Sequence, residues 1–213
     1  MPFPNLRKAE LFQRPLRAVL FPNYSGFFGN LVARFLNGEF GPLEAVDPHF
    51  SALLYAGDRM ESKPLIEAAL ASGKMLLADR YIGSNLAHQG ARVAPDRRAE
   101  FLQWLRKLEY EVYGLPAEDL VIYLRIPADE AHRMVGRKAA REYTDRRRDL
   151  QEASLEHLAA AADVYDELAR QPNWAKIDCA DPTSGSMRPA DSIHSEVLSA
   201  IATRIDSLAH AER

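Results

Sequence analysis

Residues 79–89 read DRYIGSNLAHQ and follow a short apolar run at residues 75–78 that is typical of a buried strand. Ligands of open α/β sheets bind beyond the carboxyl ends of the strands, so a charged pair at this place marks a candidate site. Asp79 can accept a hydrogen bond from a hydroxyl or a metal-bound water, and Arg80 can hold a phosphate by two parallel bonds. The polar side chains that follow suit a base edge or a sugar, and they are Ser84, Asn85 and Gln89. The Asp-Arg-aromatic triplet alone is equally typical of a helix cap with a surface ion pair, whereas the full run favours a ligand site.

The composition of the chain limits the classes of protein to which it can belong. Its 213 residues, 47% of them hydrophobic, are enough for one α/β domain with a full core. The net charge of −3 argues against a general nucleic-acid binder, which is usually basic. The single cysteine, Cys179, excludes an intramolecular disulfide and fits a reducing compartment. Because the chain has no long apolar run, and its first residues, MPFPNLRK, lack a signal-peptide segment, we expect a cytoplasmic protein without a membrane span.

Four short apolar runs predict strands, and the stretches between them predict helices. The runs are hydrophobic throughout rather than at every second residue, which is typical of strands buried on both faces of a parallel sheet. The expected strands span residues 17–21, 74–78, 120–126 and 174–179. The expected helices span residues 28–36, 48–72, 96–113, 127–138, 150–170 and 188–208. This alternation favours a doubly wound α/β fold, and without repeats or a long linker we assign residues 1–213 to one domain.

Three motifs, in this order, resemble the thymidylate (dTMP) kinase family. They are FPNY at residues 21–24, LLYAGDR at residues 53–59 and the run at residues 79–89. The resemblance extends from about residue 8 to residue 202. It implies a P-loop kinase fold, in which helices flank a parallel sheet, and a homodimer. It also implies phosphorylation of dTMP to dTDP with Mg²⁺ and ATP, a step in dTTP synthesis.

The resemblance assigns the thymine end of a dTMP site. It implies that Arg59 donates a hydrogen bond to the thymine edge and that Tyr55 stacks on the ring. It also implies that Ser84, Asn85 and Gln89 line the base and the sugar. These roles agree with the residue types, because an acceptor edge needs amide or guanidinium donors and stacking of a base on an aromatic ring contributes about 1–3 kcal/mol.

The resemblance also assigns the phosphate end of the site. Arg80 would bind the dTMP phosphate, and Asp79 would help to organise metal and water near it. Phe21 and Pro22 would shape the pocket there. A dianionic phosphate is best held by arginine, which agrees with this assignment.

A basic segment at residues 136–149 is the candidate lid. In the family this segment closes over ATP and can supply an arginine to the transferring phosphoryl group, whose charge such cations stabilise. Arg137 and Arg141 are the best candidates for catalysis and for ATP binding, because one helical turn separates them. For any single arginine the alternative is a solvated basic face, balanced by Glu142, Asp145 and Asp149.

Two departures from the family pattern leave the selectivity for base and deoxyribose open. Tyr24 stands where the family often has an arginine near the phosphate. His88 stands where many members have tyrosine or phenylalanine near the sugar. A kinase of another nucleoside or nucleotide on the same fold is therefore an alternative.

The phosphate-binding loop of P-loop kinases, Gly-x-x-x-x-Gly-Lys-[Ser/Thr], does not occur in the chain. In this fold a strand and that loop would precede the strand at residues 17–21, so we expect the first strand and the P-loop to be missing. Two explanations stay open. An upstream segment completes the enzyme, or the chain is a degenerate paralogue that binds a nucleotide without phosphorylating it.

The expected helix at residues 96–113 carries an apolar stripe that includes Phe101, Trp104 and Leu108. This stripe is a candidate dimer face. The alternative is that it packs on the sheet of its own chain.

Overall fold

The computed structural model describes residues 15–135, 151, 154–181 and 183–211, in which strands and helices alternate along the chain. The strands are β1 (Leu16–Leu20), β2 (Met75–Asp79), β3 (Val121–Arg125) and β4 (Trp174–Asp178). The helices are α1 (Phe27–Leu36), α2 (Pro48–Ala71), α3 (Ile82–Gly90), α4 (Pro95–Arg106), α5 (Ala128–Val135), α6 (Leu155–Leu168) and α7 (Ala190–Ala211). A short 3₁₀ turn at Leu43–Ala45 precedes α2. Across this described part of the chain, no helix combines the length and the apolar character needed to cross a membrane.

Both pairs of strands are parallel, as the continuous apolar runs predict. β1 pairs with β2 and β3 pairs with β4, so the described strands form two two-stranded sheets. The fold is α/β, and helices lie between the parallel strands along the chain. The expected burial on both faces is wrong, because Leu77 and Leu124 are 52% and 48% exposed, whereas Tyr123 is 9% exposed. Coverage differs between the strands, since Leu16 and Leu20 of β1 are 58% and 66% exposed, whereas Tyr165 of α6 stacks on Tyr123 of β3 with ring centroids 4.8 Å apart.

Helix α3 follows β2 directly and was not predicted from hydrophobic periodicity. Its nine residues include two glycines and several polar side chains, so the helical spacing of its apolar residues is hard to recognise. Ile82 and Leu86 nevertheless face a core that also contains Phe101, Leu105 and Val164. Short helices are stabilised by such tertiary packing rather than by propensity, which explains why α3 forms.

The expected helix at residues 96–113 changes its winding after α4. Lys107–Val112 forms one wider turn, and at its end the Tyr113 N–H donates to the Leu108 carbonyl at 2.9 Å, five residues back. Wider turns of this kind often occur at functional sites. Here the turn carries Glu109 into the interior, where it is 0% exposed. Phe101 on α4 is 3% exposed and lies in the core of the chain, so it does not form a dimer face.

The loop after β1 is held close to α1. The Asn23 carbonyl accepts a hydrogen bond from the Gly26 N–H at 2.9 Å. A Cβ added to Gly29 would lie 1.8 Å from that carbonyl oxygen. The close approach of loop and helix therefore requires glycine at position 29, and it places the end of β1 next to α1.

We expect Gly29→Ala to destabilise the protein by roughly 1–3 kcal/mol, because the new methyl group must displace a held backbone carbonyl. The usual gain from replacing glycine by alanine within a helix, about 0.5–1 kcal/mol, is too small to offset this. Asn30→Ala is the matched control, since Asn30 is exposed on the same turn. Urea unfolding of both variants measures the difference. Equal stability of the two variants would contradict the close approach.

Candidate functional site

The carboxyl ends of β1 and β2 lie side by side and form one edge of the site. Leu20 is in register with Asp79, and the Phe21 N–H donates to the Asp79 carbonyl at 3.0 Å. Phe21 is buried, with its ring centroid 5.9 Å from that of Tyr81, and it precedes a cis bond to Pro22. The Asp79 side chain is exposed. The structure thus brings together Phe21, Pro22, Asp79 and Arg80, the four residues predicted for the phosphate end.

Arg80 occupies an uncommon backbone conformation at this edge. Its φ of 60° lies in the left-handed region, which residues other than glycine rarely adopt and which is enriched at functional sites. One Arg80 Nη1 hydrogen bond goes to the Ser84 hydroxyl at 3.3 Å. The same nitrogen lies 3.4 Å from His88 Nε2. The guanidinium is therefore directed along α3, at the point where the strand ends.

His88 and His157 lie in a row of polar contacts that leads from Arg80 to α6. Because an arginine only donates, His88 Nε2 accepts from it, and Nδ1 carries the proton that faces His157 Nε2 at 3.4 Å. Burial, with the nearby charge of Arg80 and His157 as further causes, holds the pKa of His88 well below its usual value. Burial and the charge of Arg92 lower the pKa of His157 to about 4. Both rings are neutral at pH 7, so Arg80 supplies the positive charge of this group.

Asn85 presents an oriented acceptor. Its Nδ2 donates to the Ala52 carbonyl at 3.1 Å and to Glu109 Oε1 at 2.8 Å. Both partners only accept, so the amide cannot be turned around. Its Oδ1 is buried and has no hydrogen-bond partner among the described residues. A buried unsatisfied acceptor costs about 1–3 kcal/mol, and a ligand donor would remove that cost.

Gln89, one helical turn further along α3, presents the opposite group. Its Oε1 accepts from the Ser51 hydroxyl at 2.8 Å and from Arg92 Nη1 at 2.9 Å. Within the part of the chain that the structure describes, its buried Nε2 lacks a hydrogen-bond partner. The two amides of α3 therefore offer one acceptor and one donor to a ligand.

Arg59 lies deeper than its predicted role at the base edge requires. Its Nε and Nη2 each donate to the Glu109 carboxylate at 2.6 Å, and the two side chains are 2% and 0% exposed. Burial by itself would lower the pKa of Arg59, but the charge and hydrogen bonds of Glu109, with a smaller effect of Asp58, raise it above the usual value. A thymine contact from Arg59 would have to come from Nη1, and it stays a prediction.

Tyr55, predicted to stack on the base, is half-buried on α2. Its ring meets that of Phe35 edge to face, with centroids 6.4 Å apart. Its hydroxyl donates to Gln151 Oε1 at 3.4 Å. This contact connects α2 to Gln151, two residues beyond the candidate lid. The lid at residues 136–149, with Arg137 and Arg141, lies outside the described residues.

Asp58 joins the loop after β1 to α2. Both of its carboxylate oxygens lie 3.1 Å from the Asn23 N–H, and the side chain is 1% exposed. Burial raises the pKa of Asp58 to about 6, although the Asn23 hydrogen bond and the charge of Arg59 act in the opposite direction. The phosphate end and the base end of the site are thus connected by a carboxyl group that titrates near neutral pH.

Sequence reasoning missed the residues that position the predicted ones. These are Ser51, Asp58, Arg92, Glu109 and His157. Two of them left a signal in the sequence, since Asp58 is part of the LLYAGDR motif and Glu109 lies four positions after Leu105, on the same face of a predicted helix. The partners of the others come from distant parts of the chain, and periodicity carries no information about them.

The described residues contain no group of three or more histidine, cysteine, aspartate or glutamate side chains that could hold a metal ion. Asp79 offers one exposed carboxylate at the strand edge. Mg²⁺ is commonly held by one or two carboxylates together with substrate phosphates and water, so a single carboxylate fits a metal that arrives with a nucleotide.

The family described as thymidylate kinase matches residues 8–187 of this sequence. The chain belongs to the thymidylate kinase family. It is 30% identical to the thymidylate kinase of Mycobacterium tuberculosis over 159 residues, which are 74% of this chain and 73% of the relative. It is 30% identical to a probable thymidylate kinase of Pyrobaculum calidifontis over 164 residues, 76% and 72% of the two chains. It is 29% identical to a probable thymidylate kinase of Thermococcus kodakarensis over 182 residues, 83% and 78% of the two chains.

We expect Glu109→Gln and Arg59→Met each to destabilise this thymidylate kinase family member by about 3–5 kcal/mol, because each leaves a buried group without its ionic partner. The double variant Arg59→Met/Glu109→Gln should lose less stability than the sum of the two single changes. The control is Glu39→Gln, which breaks the exposed Arg34–Glu39 pair at 2.7 Å. Exposed pairs contribute about 0–1 kcal/mol. Chemical unfolding compares the stability of these variants. A similar loss of stability at the exposed pair and at the buried pair would contradict the structural role of the buried pair.

Asp58→Asn is expected to change how stability depends on pH. The folded state keeps the Asp58 proton up to about pH 6, whereas the unfolded chain releases it near the ordinary value of 3.8. Relative to the variant, the wild-type protein therefore loses stability as the pH rises from about 4 to about 6, by up to about 3 kcal/mol, and the difference is constant above. Unfolding at several pH values measures this difference, and the histidines affect both proteins alike. A difference that does not vary with pH would show that Asp58 titrates normally.

Proposed function

We propose that the chain binds dTMP at this site as the acceptor of a phosphoryl group from ATP, which gives dTDP. The observation that carries the proposal is the pair of oriented amides on α3. Asn85 Oδ1 is a buried acceptor and Gln89 Nε2 is a buried donor, and neither has a partner among the described residues. The edge of thymine carries an imide N–H next to carbonyl oxygens. One acceptor and one donor match this edge.

The phosphate of dTMP lies at the strand edge in this proposal. Arg80 supplies the positive charge there, and the neutral His88 supports its guanidinium rather than adding charge. Phosphoryl transfer depends mainly on positioning and on cations that stabilise the transferred group. The acceptor is already a phosphate oxygen, so no strong general base is required from the protein.

Mg²⁺ and the lid arginines complete the proposed reaction. Asp79 would hold Mg²⁺ directly or through water, while the ion would supply charge neutralisation for the ATP phosphates. Arg137 and Arg141 would contact the transferring phosphoryl group. The homodimer and the cytoplasmic location also stay predictions from the sequence.

The Gly-x-x-x-x-Gly-Lys-[Ser/Thr] loop does not occur in these 213 residues, so either another segment supplies it or, as a second candidate, the chain binds the nucleotide without phosphorylating it. That loop supplies backbone donors and a lysine to the ATP phosphates. Loss of one preorganised donor typically costs about 3 kcal/mol of transition-state stabilisation, so catalysis requires that another segment supplies these donors. The site for dTMP lies elsewhere in the fold and is common to both candidates.

Calorimetry with dTMP and thymidine tests the binding site. The chain should bind dTMP more tightly than thymidine, dUMP or dGMP. Arg80→Met should weaken dTMP binding by about tenfold or more and leave thymidine binding nearly unchanged, because only dTMP carries the phosphate. Arg97→Met, at an exposed position of α4, is the control. An equal effect of Arg80→Met on both ligands would contradict the phosphate assignment.

ADP release from MgATP, measured with and without dTMP, separates the two candidates. Turnover that requires dTMP identifies the kinase. Tight dTMP binding by folded protein without turnover shows that these 213 residues bind the nucleotide without phosphorylating it by themselves.

A further inference from the structure

We infer that Arg92 is a positioning residue that holds the Gln89 amide with its NH₂ group towards the ligand, and that it thereby selects thymine over cytosine. This inference rests on the proposed binding of a pyrimidine nucleotide. It concerns a residue that no motif of the sequence indicates.

The Gln89 carbonyl oxygen is fully occupied by protein donors. Ser51 Oγ donates to it at 2.8 Å and Arg92 Nη1 at 2.9 Å. An amide oxygen has two lone pairs, so no further ligand donor is accommodated well there. With Gln89 and Ser51 both 0% exposed, water does not replace either contact.

Ser51 alone would leave the orientation of Gln89 undecided. A hydroxyl either donates to an amide oxygen or accepts from an amide nitrogen, so it tolerates both orientations. Arg92 only donates, and it therefore repels the NH₂ group of a reversed Gln89. It also donates to Ser51 Oγ at 2.6 Å, so the serine gives its own proton to an acceptor, and Gln89 Oε1 at 2.8 Å is nearer than the carbonyls of Pro48 at 3.2 Å and Asp47 at 3.4 Å.

Arg92 is itself held firmly. Its Nη2 donates to the carbonyls of Leu43, at 2.7 Å, and Val46. Its guanidinium carbon lies 5.8 Å from the centre of the Phe35 ring. The 3₁₀ turn before α2 and helix α1 therefore fix the arginine, and the arginine fixes the amide.

The chemical consequence follows from the group at C4 of the pyrimidine. Thymine carries a carbonyl oxygen there, which accepts from Gln89 Nε2. Cytosine carries an amino group, which would face the NH₂ of Gln89 with two donors opposed and a buried group unsatisfied. Asn85 Oδ1 accepts from the imide N–H in the same ring and discriminates separately, so loss of Arg92 weakens the selection without abolishing it.

The experiment measures calorimetric dissociation constants of dTMP and dCMP for the wild-type chain and for three variants. Arg92→Met should lower the preference for dTMP over dCMP by about tenfold, because Gln89 is then free to reverse. Arg92→Lys retains a donor at this place and should recover most of the preference. Arg98→Met is the matched control, since Arg98 on α4 also donates to two backbone carbonyls, those of Gly90 at 3.0 Å and Val93 at 3.5 Å, and neither bond involves Gln89.

The outcomes separate this inference from the function on which it rests. An unchanged dTMP preference in Arg92→Met, or an equal weakening of both ligands, would overturn the role of Arg92 and leave the proposed function intact. A wild-type chain that does not prefer dTMP to dCMP would overturn both. A lowered preference in Arg92→Met with an unchanged one in Arg98→Met is the result that we expect.

Discussion

The buried contact of Arg59 and Asn85 with Glu109 is the interaction on which the site depends. Glu109 Oε1 accepts from Arg59 Nη2 at 2.6 Å and from Asn85 Nδ2 at 2.8 Å. One carboxylate thereby joins α2, α3 and the wide turn after α4. Buried charges are tolerated only when they are paired and hydrogen-bonded, so these three elements cannot shift independently. The position of the Asn85 and Gln89 amides on α3 is a consequence of that constraint.

The two amides of α3 are oriented by opposite charges. The Glu109 carboxylate attracts the NH₂ of Asn85, which leaves an oxygen for the ligand. The Arg92 guanidinium attracts the oxygen of Gln89, which leaves an NH₂ for the ligand. A neutral amide is ambiguous by itself, because its oxygen and nitrogen are almost the same size. Charged neighbours resolve the ambiguity before any ligand arrives, and such preorganisation lowers the cost of binding.

The phosphate end is built differently, from backbone geometry. Parallel pairing brings the ends of β1 and β2 together, and the left-handed conformation of Arg80 redirects the chain into α3. Exposure at this edge suits a charged ligand that arrives from water. Leu16, Leu20, Leu77 and Leu124 are each about half exposed or more, so the described residues leave much of the strand surface uncovered. The sequence pattern predicted burial on both faces. An apolar run shows that a strand is able to be buried, but it does not show which other elements pack against that strand.

The sequence predicted best those features that depend on residues close together in the chain. The strands at residues 75–79 and 174–178 were predicted to within one residue, since continuous apolar runs of that length have few other uses. The motifs around Tyr55, Arg59 and the run at residues 79–89 indicated the family. Helix α3, which carries Ser84, Asn85 and Gln89, was not predicted. Tertiary packing of Ile82 and Leu86 stabilises it, and a local pattern does not show such packing.

The amino-acid sequence by itself determined the fold class, the family and the residue types that meet at the strand edge. The tertiary structure decided how those side chains are oriented and which of their atoms are already bonded within the protein. Glu109 lies 50 positions from Arg59, and Ser51 lies 38 positions from Gln89. Pairings over such distances depend on how helices pack, and no local pattern of hydrophobic and polar residues encodes them. The direction of a hydrogen bond at the site is therefore a property of the folded chain.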